Sequence, residues 1–486
     1  MSVTSTSLNG TFNGISEDGI EIFKGIKYAN IPYRWAYAER IDDYDNGVFD
    51  CTQEGMACPQ VLPFDYNIEK GPKEMPFDEF ECSNLMITRP QGATNLPVFV
   101  WIHGGGNLAG NGYCSDHNPV PFVKHSIVAG RPVLHVMIEY RLSAFGYLAV
   151  PDTNGNWVGN WGARDQYTAL QWISKHIVEF GGDPSQITIG GESAGSIGLH
   201  ALMVHESMKP KEECIIHNVI LSSGTMDRMG TGTISEDAFK PIYDGIKTLV
   251  GDINTCSADE LLEAQIKAGL DLGFYLQDDF FPPDWRNVRF KVSRVLLSDV
   301  IVDGTNFKNK INPAVRVTPE NDFDHKVFKL YNISTEDTWE DYHYKMMLFK
   351  GDETFIRGNQ QLELLFEQEN IPVWRQLFDQ IHPNDPSRLC HHAVDLYYMW
   401  DNWEMPEDKH AVARQYQDTL TKFVYGQDPW PVDKLHYVHD NQFEILDKSQ
   451  FGDFRNVPAL KFLLGFSAEE LGELTKKYTG EGHYTL

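Results

Sequence analysis

Runs of mainly apolar residues recur along the chain and predict buried β-strands. The runs are Pro97–Ile102, Pro132–Tyr140, Ile187–Ile189, Ile215–Ser222 and Val295–Leu297. Between the second and third runs, apolar residues at helical spacing from Ala163 to Ile177 predict a helix over about 160–180. Strands buried on both faces that alternate with helices are typical of a parallel sheet covered by helices. The pattern therefore predicts an α/β fold with a mostly parallel central sheet.

Three segments depart from that alternation. The stretch from Leu8 to Ala29 alternates polar and apolar residues, which predicts antiparallel strands at the sheet edge. Residues 225–292 are acidic and aromatic with irregular stretches, and residues 322–390 are mainly helical in pattern. We predict that both are helical insertions that wall a pocket. The length favours two or three domains, but a sheet with insertions accounts for it, so we expect one domain over residues 1–486.

Charge and targeting signals narrow the class of function. The 486 residues include 41 Lys and Arg against 69 Asp and Glu, a formal net charge of −28. This acidity argues against nucleic acid or an anionic membrane surface as a partner. No apolar run is long enough for a membrane span, and Met1 to Asn9 lack the apolar core of a signal peptide. We therefore expect a cytoplasmic protein.

Cysteine usage agrees with that expectation. Seven cysteines are few for this length, and an odd number leaves at least one without a partner in the chain. Cys58 and Cys82 flank a long polar segment that a disulfide would close. Two reduced thiols are an equally good interpretation, and the sequence leaves the choice open.

The segment Gly191-Glu-Ser-Ala-Gly195 fits the G-x-S-x-G pattern of a nucleophile elbow. It follows the predicted strand Ile187–Ile189, and a helix is predicted to begin at about Ser196. A strand, a sharp turn and a helix are the context that this motif requires. Since the motif also arises by chance, its support comes from a glycine-rich loop upstream and an acid and a histidine downstream, in that order.

The glycine-rich loop is present directly after the strand Pro97–Ile102. His103 is followed by three glycines, Gly104 to Gly106, whose backbone N–H groups have no side chain in the way. Lipases and esterases carry a loop of this type as part of the oxyanion hole. A flexible turn is the alternative interpretation.

The sequence resembles the type-B carboxylesterases, the esterase and cholinesterase family of α/β hydrolases, and its intracellular fungal members in particular. The resemblance extends from Gly10 to about Trp430. The matching blocks are Phe23–Ala29, Cys58–Gln60, Tyr140–Leu142, Phe145–Gly146, Gly159–Gln166, Phe180–Pro184 and Gly191–Gly195. The resemblance implies the α/β-hydrolase fold, with helical insertions that wall the active site.

The resemblance also implies roles for three distant side chains. Ser193 is the expected nucleophile. The family acid lies in a turn after a strand, a place that Asp303 occupies, although relatives usually have Glu there; Asp299 is the alternative. The family histidine begins an H-x-x-[ED] segment, which His392 matches, with the adjacent His391 as its competitor.

Neighbours of these three residues follow from the same resemblance. The backbone N–H groups of Gly105, Gly106 and Ala194 are the expected oxyanion hole. Asp395 and Ser223 are expected to lie beside the triad. We expect no cofactor and no metal, because the run from Cys390 to His392 lacks further ligands at zinc-site spacing.

The sequence therefore predicts a serine hydrolase that cleaves small to medium carboxylic esters through an acyl-enzyme. A lipase or a specialised detoxifying esterase is the alternative enzyme. A binding protein that uses the esterase fold without catalysis is the alternative of another class. No Trp lies between Cys58 and Cys82, where cholinesterases hold a quaternary ammonium, which argues against choline esters. The oligomeric state and the natural ester stay open.

Overall fold

The computed structural model describes residues 1–61, 76–227, 232–269, 275–282, 284–308, 311 and 316–478. The strands are β1 Ser2–Ser5, β2 Gly10–Asn13, β3 Ile15–Glu17, β4 Ile20–Lys27, β5 Ala29–Asn30, β6 Glu39–Arg40, β7 Gly47–Asp50, β8 Asn84–Pro90, β9 Leu96–Ile102, β10 Leu134–Ile138, β11 Val150–Pro151, β12 Trp157–Val158, β13 Gly182–Glu192, β14 Asn218–Ser222, β15 Thr233–Ile234, β16 Tyr275–Leu276, β17 Arg294–Val300, β18 Val373–Asp379, β19 Lys434–His439 and β20 Gln442–Asp447.

The α-helices are α1 Val120–Val128, α2 Ser143–Tyr147, α3 Trp161–His176, α4 Ala194–Ser207, α5 Glu236–Val250, α6 Ala258–Lys267, α7 Asp322–Leu330, α8 Trp339–Gly351, α9 Arg357–Gln368, α10 Asp395–Trp400, α11 Glu407–Val424, α12 Phe451–Phe454, α13 Val457–Leu463 and α14 Ala468–Thr475. Two further turns matter for the site: a 3₁₀ turn at Asp303–Phe307 and a π-helical turn at Asp352–Ile356.

The central sheet has eleven strands in the order β20-β19-β18-β17-β14-β13-β9-β10-β8-β4-β3, counted over the described residues. The seven strands from β19 to β10 pair in parallel. Strand β20 at one edge and strands β8, β4 and β3 at the other are antiparallel. The prediction of an α/β fold with a mostly parallel sheet is confirmed. The predicted antiparallel edge is confirmed for β3 and β4, whereas β2, from the same predicted stretch, lies in a separate three-stranded sheet between β1 and β7.

Alternate residues of the central strands pack on opposite layers of helices. In β9, Val98 and Val100 belong to a core that includes residues of α3 and α4. Phe99 and Trp101 of the same strand belong to a second core, which includes residues of α10 and α11. Because neighbouring side chains of a strand point to opposite faces, one apolar run supplies both layers. This arrangement brings the carboxyl ends of β9, β13, β14 and β17 to one edge of the sheet.

The predicted insertion over residues 225–292 contains α5, α6 and the parallel strand pair β15 and β16. Its residues 228–231, 270–274 and 283 lie outside the described residues. The serine at position 257 and Glu260 form a reciprocal capping box that fixes the start of α6.

The predicted insertion over residues 322–390 contains α7, α8 and α9, but helix is the wrong prediction for Val373–Asp379. This stretch is β18, a strand within the central sheet. Arg375 and Gln376 interrupt its apolar pattern although both are buried. Helices α7 and α8 pack with α13 and α14 in a separate apolar core, which also contains Val302 and Phe307. The C-terminal helices are thus joined to the turn that carries Asp303.

Among the described residues, no helix is both long and apolar enough to cross a bilayer. All seven cysteines are free thiols in the structure, Cys58 and Cys82 included.

Candidate active site

Ser193 lies at a strained bend between β13 and α4. Its backbone has φ 54° and ψ −124°, a left-handed conformation that costs a residue other than glycine about 1–3 kcal/mol. The glycines on either side permit the bend. A Cβ on Gly191 would lie 2.5 Å from the carbonyl carbon of Gly195, and a Cβ on Gly195 would overlap the backbone oxygen of Ile102. The two glycines of the G-x-S-x-G motif are therefore required by packing here, independently of any chemistry.

The glycine-rich loop lies against this bend. A Cβ on Gly104 would be 3.2 Å from Cβ of Ser193 and 2.8 Å from the carbonyl oxygen of Glu192. Gly105 has φ 115°, and a Cβ there would overlap the carbonyl oxygen of Ala109. Gly106 has φ 67°. Packing thus excludes a side chain at Gly104 and Gly105, whereas a Cβ on Gly106 would meet no atom within 4 Å.

His103 anchors the start of that loop. Its ring stacks on Tyr140 with centroids 4.5 Å apart, and the Tyr140 hydroxyl donates to the His103 carbonyl at 2.7 Å. Burial lowers the pKa of His103 to about 3, so the ring is neutral at ordinary pH. Its role is therefore structural.

Asp303 and His392 are brought together from positions 89 residues apart. Nδ1 of His392 lies 2.8 Å from Oδ1 of Asp303, and both residues are buried. The turn and the loop that carry them are bound to each other by backbone contacts as well. Val302 pairs with His391 in an isolated parallel bridge, and the His392 N–H donates to Oγ1 of Thr305 at 2.9 Å.

The other ring nitrogen of His392 faces Glu192, the residue before Ser193. Nε2 lies 3.1 Å from Oε1 of Glu192 without hydrogen-bond geometry. No hydrogen bond joins Nε2 to the Ser193 hydroxyl within the described part of the chain. Ser193 and His392 are 5% and 6% exposed, so the site is nearly closed in this state.

Ser223 and Asp395 take different partners. The Ser223 hydroxyl donates to Oδ2 of Asp303 at 3.0 Å. Asp395 instead accepts from the Ser222 hydroxyl at 2.7 Å. Ser222 was missed in the sequence, although it stands next to the predicted Ser223 at the end of β14.

The two alternatives from the sequence lie elsewhere. Asp299 binds the guanidinium groups of Arg375 and Arg455, and these hold its pKa below the usual value although burial opposes ionisation. Nδ1 of His391 lies 2.6 Å from the His392 carbonyl oxygen, and its ring packs beside His382 and Tyr397. Within the described residues, no hydrogen bond joins either of these side chains to the Asp303 carboxylate or the His392 imidazole.

Three buried carboxylates surround His392 and set its charge. Burial alone would lower the pKa of His392, but the charges of Glu192, Asp303 and Asp395 outweigh it and raise the pKa. Burial has the opposite effect on the carboxyl groups, because it favours their neutral form. It raises the pKa of Glu192 and of Asp303, and it raises that of Asp395 to about 6. The four groups therefore share protons and titrate together.

Backbone strain and aromatic packing are both found at the site around Ser193 and His392. Six residues other than glycine, asparagine and aspartate have positive φ among the described residues: Trp35, Ser143, Ser193, Ser223, Leu389 and Ala393. Three of these six belong to the segments that form the site. In addition, the ring of Phe355 stacks on His392 with centroids 4.5 Å apart and an interplanar angle of 25°. Phe355 lies in the π-helical turn, a feature often found at functional sites, and no sequence motif identifies it.

The residues show no chelating arrangement around Cys390. Its Sγ donates to the Phe378 carbonyl at 2.9 Å, away from the histidines. In the described ranges, no three His, Cys, Asp or Glu side chains are placed to hold a metal ion.

Comparison with known proteins identifies relatives of this chain. The family model described as "Carboxylesterase family" matches residues 2–251. Lipase 3 of Yarrowia lipolytica is 30% identical, over 96% of this chain and 98% of that protein. Para-nitrobenzyl esterase of Bacillus subtilis is 32% identical, over 53% of this chain and 52% of that protein. A solved thermophilic PNB esterase has the same fold, with a TM-score of 0.76 and 22% identity over 94% of this chain and 99% of that one.

Proposed function

The chain belongs to the carboxylesterase family, and we propose that it hydrolyses carboxylic esters through an acyl-enzyme formed on Ser193. The observation that carries the proposal is the 2.8 Å contact between His392 and Asp303 beside the strained bend at Ser193. Backbone strain of this kind persists only where the surrounding structure enforces it, and it is concentrated at active sites.

In the proposed reaction, His392 removes the Ser193 proton as the serine oxygen attacks the ester carbonyl. The same imidazole then returns the proton to the leaving alcohol. Asp303 accepts the Nδ1–H hydrogen bond, fixes the tautomer and stabilises the imidazolium. Nε2 has to move from Glu192 toward the serine, and catalytic hydrogen bonds often tighten in this way only when substrate binds. Water then repeats the attack on the acyl-enzyme.

The N–H groups of Gly105, Gly106 and Ala194 are the proposed donors to the tetrahedral oxyanion. The first two belong to the loop against Ser193, and the third begins α4 directly after it. A helix N-terminus adds favourable potential for negative charge. Because the loop geometry is fixed by glycine packing, the donors need little reorganisation as charge develops.

Small to medium neutral esters are the proposed substrates. The net charge of −28 disfavours anionic substrates, and the small exposure of Ser193 disfavours bulky ones. A lipase is the second candidate, supported by the match over nearly the full length to a protein named Lipase 3.

One assay separates these candidates. We expect p-nitrophenyl esters of short acyl chains to be hydrolysed, with a rate that falls as the acyl chain lengthens. A rate that rises with chain length and at an oil–water interface favours the lipase.

Ser193→Ala should lower kcat by about 10⁶. A fluorophosphonate probe should label Ser193, whereas a non-catalytic binding protein would stay unlabelled. Equal activity in the wild type and Ser193→Ala would disprove the proposal.

A further inference from the structure

A buried guanidinium lies behind the residue proposed as the triad acid. Arg455 follows α12, and its side chain is 3% exposed. One of its terminal nitrogens donates to Oδ1 of Asp299 and, at 2.6 Å, to the Val300 carbonyl. The other donates to the Ile301 carbonyl at 2.8 Å. One side chain thus binds three successive residues at the end of β17.

These three residues lead directly to Asp303. Strand β17 ends at Val300, and the 3₁₀ turn that begins with Asp303 follows after two residues. The neighbouring strand supplies one further bond, from the Ile301 N–H to the Phe378 carbonyl. Arg455 fixes the carbonyl side of the same short segment, so the direction in which the segment leaves the sheet depends on it.

Arg455 is itself held from two sides. Phe451 and Phe454 of α12 pack against Leu377 and Tyr437 of β18 and β19. The guanidinium also lies 3.8 Å from Asp352, which accepts a hydrogen bond from the Tyr331 hydroxyl at 2.9 Å. Asp352 begins the π-helical turn whose Phe355 stacks on His392. Arg455 therefore contacts both segments that define the surroundings of the Asp303–His392 pair.

We propose that Arg455 is a positioning residue for ester hydrolysis: it fixes the turn that presents Asp303 to His392 and balances the charge of Asp299 behind it. The proposal rests on the proposed function of Ser193, Asp303 and His392. Arg455 itself contacts neither substrate nor His392. A displacement of about 1 Å in a catalytic group can lower the rate by as much as about 10²-fold.

The charged groups around the Asp303–His392 pair determine in which direction the pH profile of activity should shift when Arg455 is replaced. The groups that face His392 and Asp303 are Glu192 from β13, Asp395 from α10, Asp299 from β17, Asp352 from the π-helical turn and Arg455. Two cations lie behind the pair, since Arg375 and Arg455 both bind Asp299, and Arg455 favours the ionised form of Asp303. Without it, the remaining negative charge stabilises protonated His392, and a higher pH is then needed to obtain the neutral base.

The first measurement is the pH dependence of kcat/KM for a short p-nitrophenyl ester. Active sites are counted with a fluorophosphonate, so that misfolded protein does not contribute. For Arg455→Met we expect kcat to fall by about tenfold or more with little change in KM. The acidic limb of the profile should move to higher pH by about half a unit or more.

Two further variants separate positioning from simple loss of a buried ion pair. The double variant Arg455→Met with Asp299→Asn removes one charge of each sign, so the acidic limb of the pH profile should return to the wild-type pH. Its kcat should stay low, because the carbonyl groups of Val300 and Ile301 still lack their donor. Arg455→Lys keeps the positive charge but lacks the planar guanidinium group. Like the double variant, it should therefore have an acidic limb at the wild-type pH and a low kcat. Arg414→Met, an exposed arginine paired with Glu407, is the control and should match the wild type.

A readout without substrate distinguishes failure of this inference from failure of the proposed function. The His392 Nδ1–H bonded to Asp303 should give a low-field proton resonance in the NMR spectrum, assigned by its loss in Asp303→Asn. We expect this resonance to shift or disappear in Arg455→Met. An unchanged resonance and wild-type kinetics in Arg455→Met, or in the double variant if the single variant does not fold, would overturn the inference. A resonance that responds in a protein without esterase activity would overturn the function alone.

Discussion

The two halves of the site are built in different ways. The nucleophile side, which we define as Gly191–Gly195 with His103–Gly106, is shaped by backbone contacts between segments that each carry glycines. The acid–base side, which we define as the Asp303–Phe307 turn with His391–Asp395, is assembled by side chains and bridges from distant parts of the chain. The first half depends on the absence of Cβ atoms, and the second on particular polar groups.

This difference predicts which kind of substitution should impair each half of the site. On the nucleophile side, apart from Ser193 itself, added atoms are expected to do the damage, because a Cβ on Gly105, Gly191 or Gly195 would overlap neighbouring backbone. On the acid–base side, removed atoms do the damage, because buried polar groups lose their partners. Substitutions of opposite kinds should therefore disable the two halves.

Apart from loss of the Ser193 hydroxyl itself, the largest effect is expected on the acid–base side. Asp303→Asn keeps the size of the side chain but places an amide where His392 donates, which favours the wrong tautomer. We expect kcat to fall by about 10⁴, measured with a short p-nitrophenyl ester. The thermal unfolding midpoint serves to show that the protein is still folded.

Asp303→Glu is the matched control for that variant. It retains the carboxylate and adds one methylene, as in the Glu that relatives usually have at this place. It should keep far more activity than Asp303→Asn. If the two variants were equally inactive, geometry and not the charge and acceptor character of Asp303 would be the limiting feature.

A smaller effect is expected on the nucleophile side from an added methyl group. Gly105→Ala would place a Cβ against the Ala109 carbonyl at a residue with φ 115°. The loop must move, and loss of one oxyanion donor costs about 10²–10³ in kcat. Gly130→Ala, at φ 69° with open space around it, is the control for backbone strain alone. Equal activity of both variants would show that the loop does not supply a donor.

The same contrast explains how much the sequence could predict. The nucleophile side is local, so the motif around Ser193 and the glycines after His103 identified it without coordinates. The alternation of strands and helices also identified the fold. The choice of Asp303 as the proposed acid needed the family resemblance, because Asp299 and Asp303 look alike in sequence and differ only in their partners. Nothing local indicates that Arg375 and Arg455 bind Asp299.

Other features escaped prediction for a related reason. Strand β18 carries Arg375 and Gln376 at buried positions, so its apolar pattern is broken. The partners of Arg375, the Leu297 carbonyl and Asp299, lie on β17. Thr305 and Phe355 meet His392 only through tertiary packing. Long-range contacts of single side chains leave no periodic signal.

Glu192 belongs to the motif of one half and contacts the base of the other. Its carboxylate lies 3.1 Å from Nε2 of His392, and it raises the pKa of that ring. In the proposed mechanism, lowering the pH through this raised pKa protonates His392 and stops catalysis. Glu192→Gln removes the charge, so His392 should stay neutral to lower pH and the acidic limb of kcat/KM should move down by about half a unit or more.

The size of that shift measures how strongly the two halves are coupled. Glu179→Gln is the control, because it makes the same change at the protein surface and far from His392 in the sequence. It should leave the pH profile of kcat/KM unchanged. Kinetics at several ionic strengths add a second check, since salt screens a buried pair much less than a surface pair. A limb that stayed at the wild-type pH in Glu192→Gln would mean that Glu192 does not stabilise the protonated base. The two halves would then act independently, and the 3.1 Å contact would serve only to hold the His392 ring until substrate displaces it.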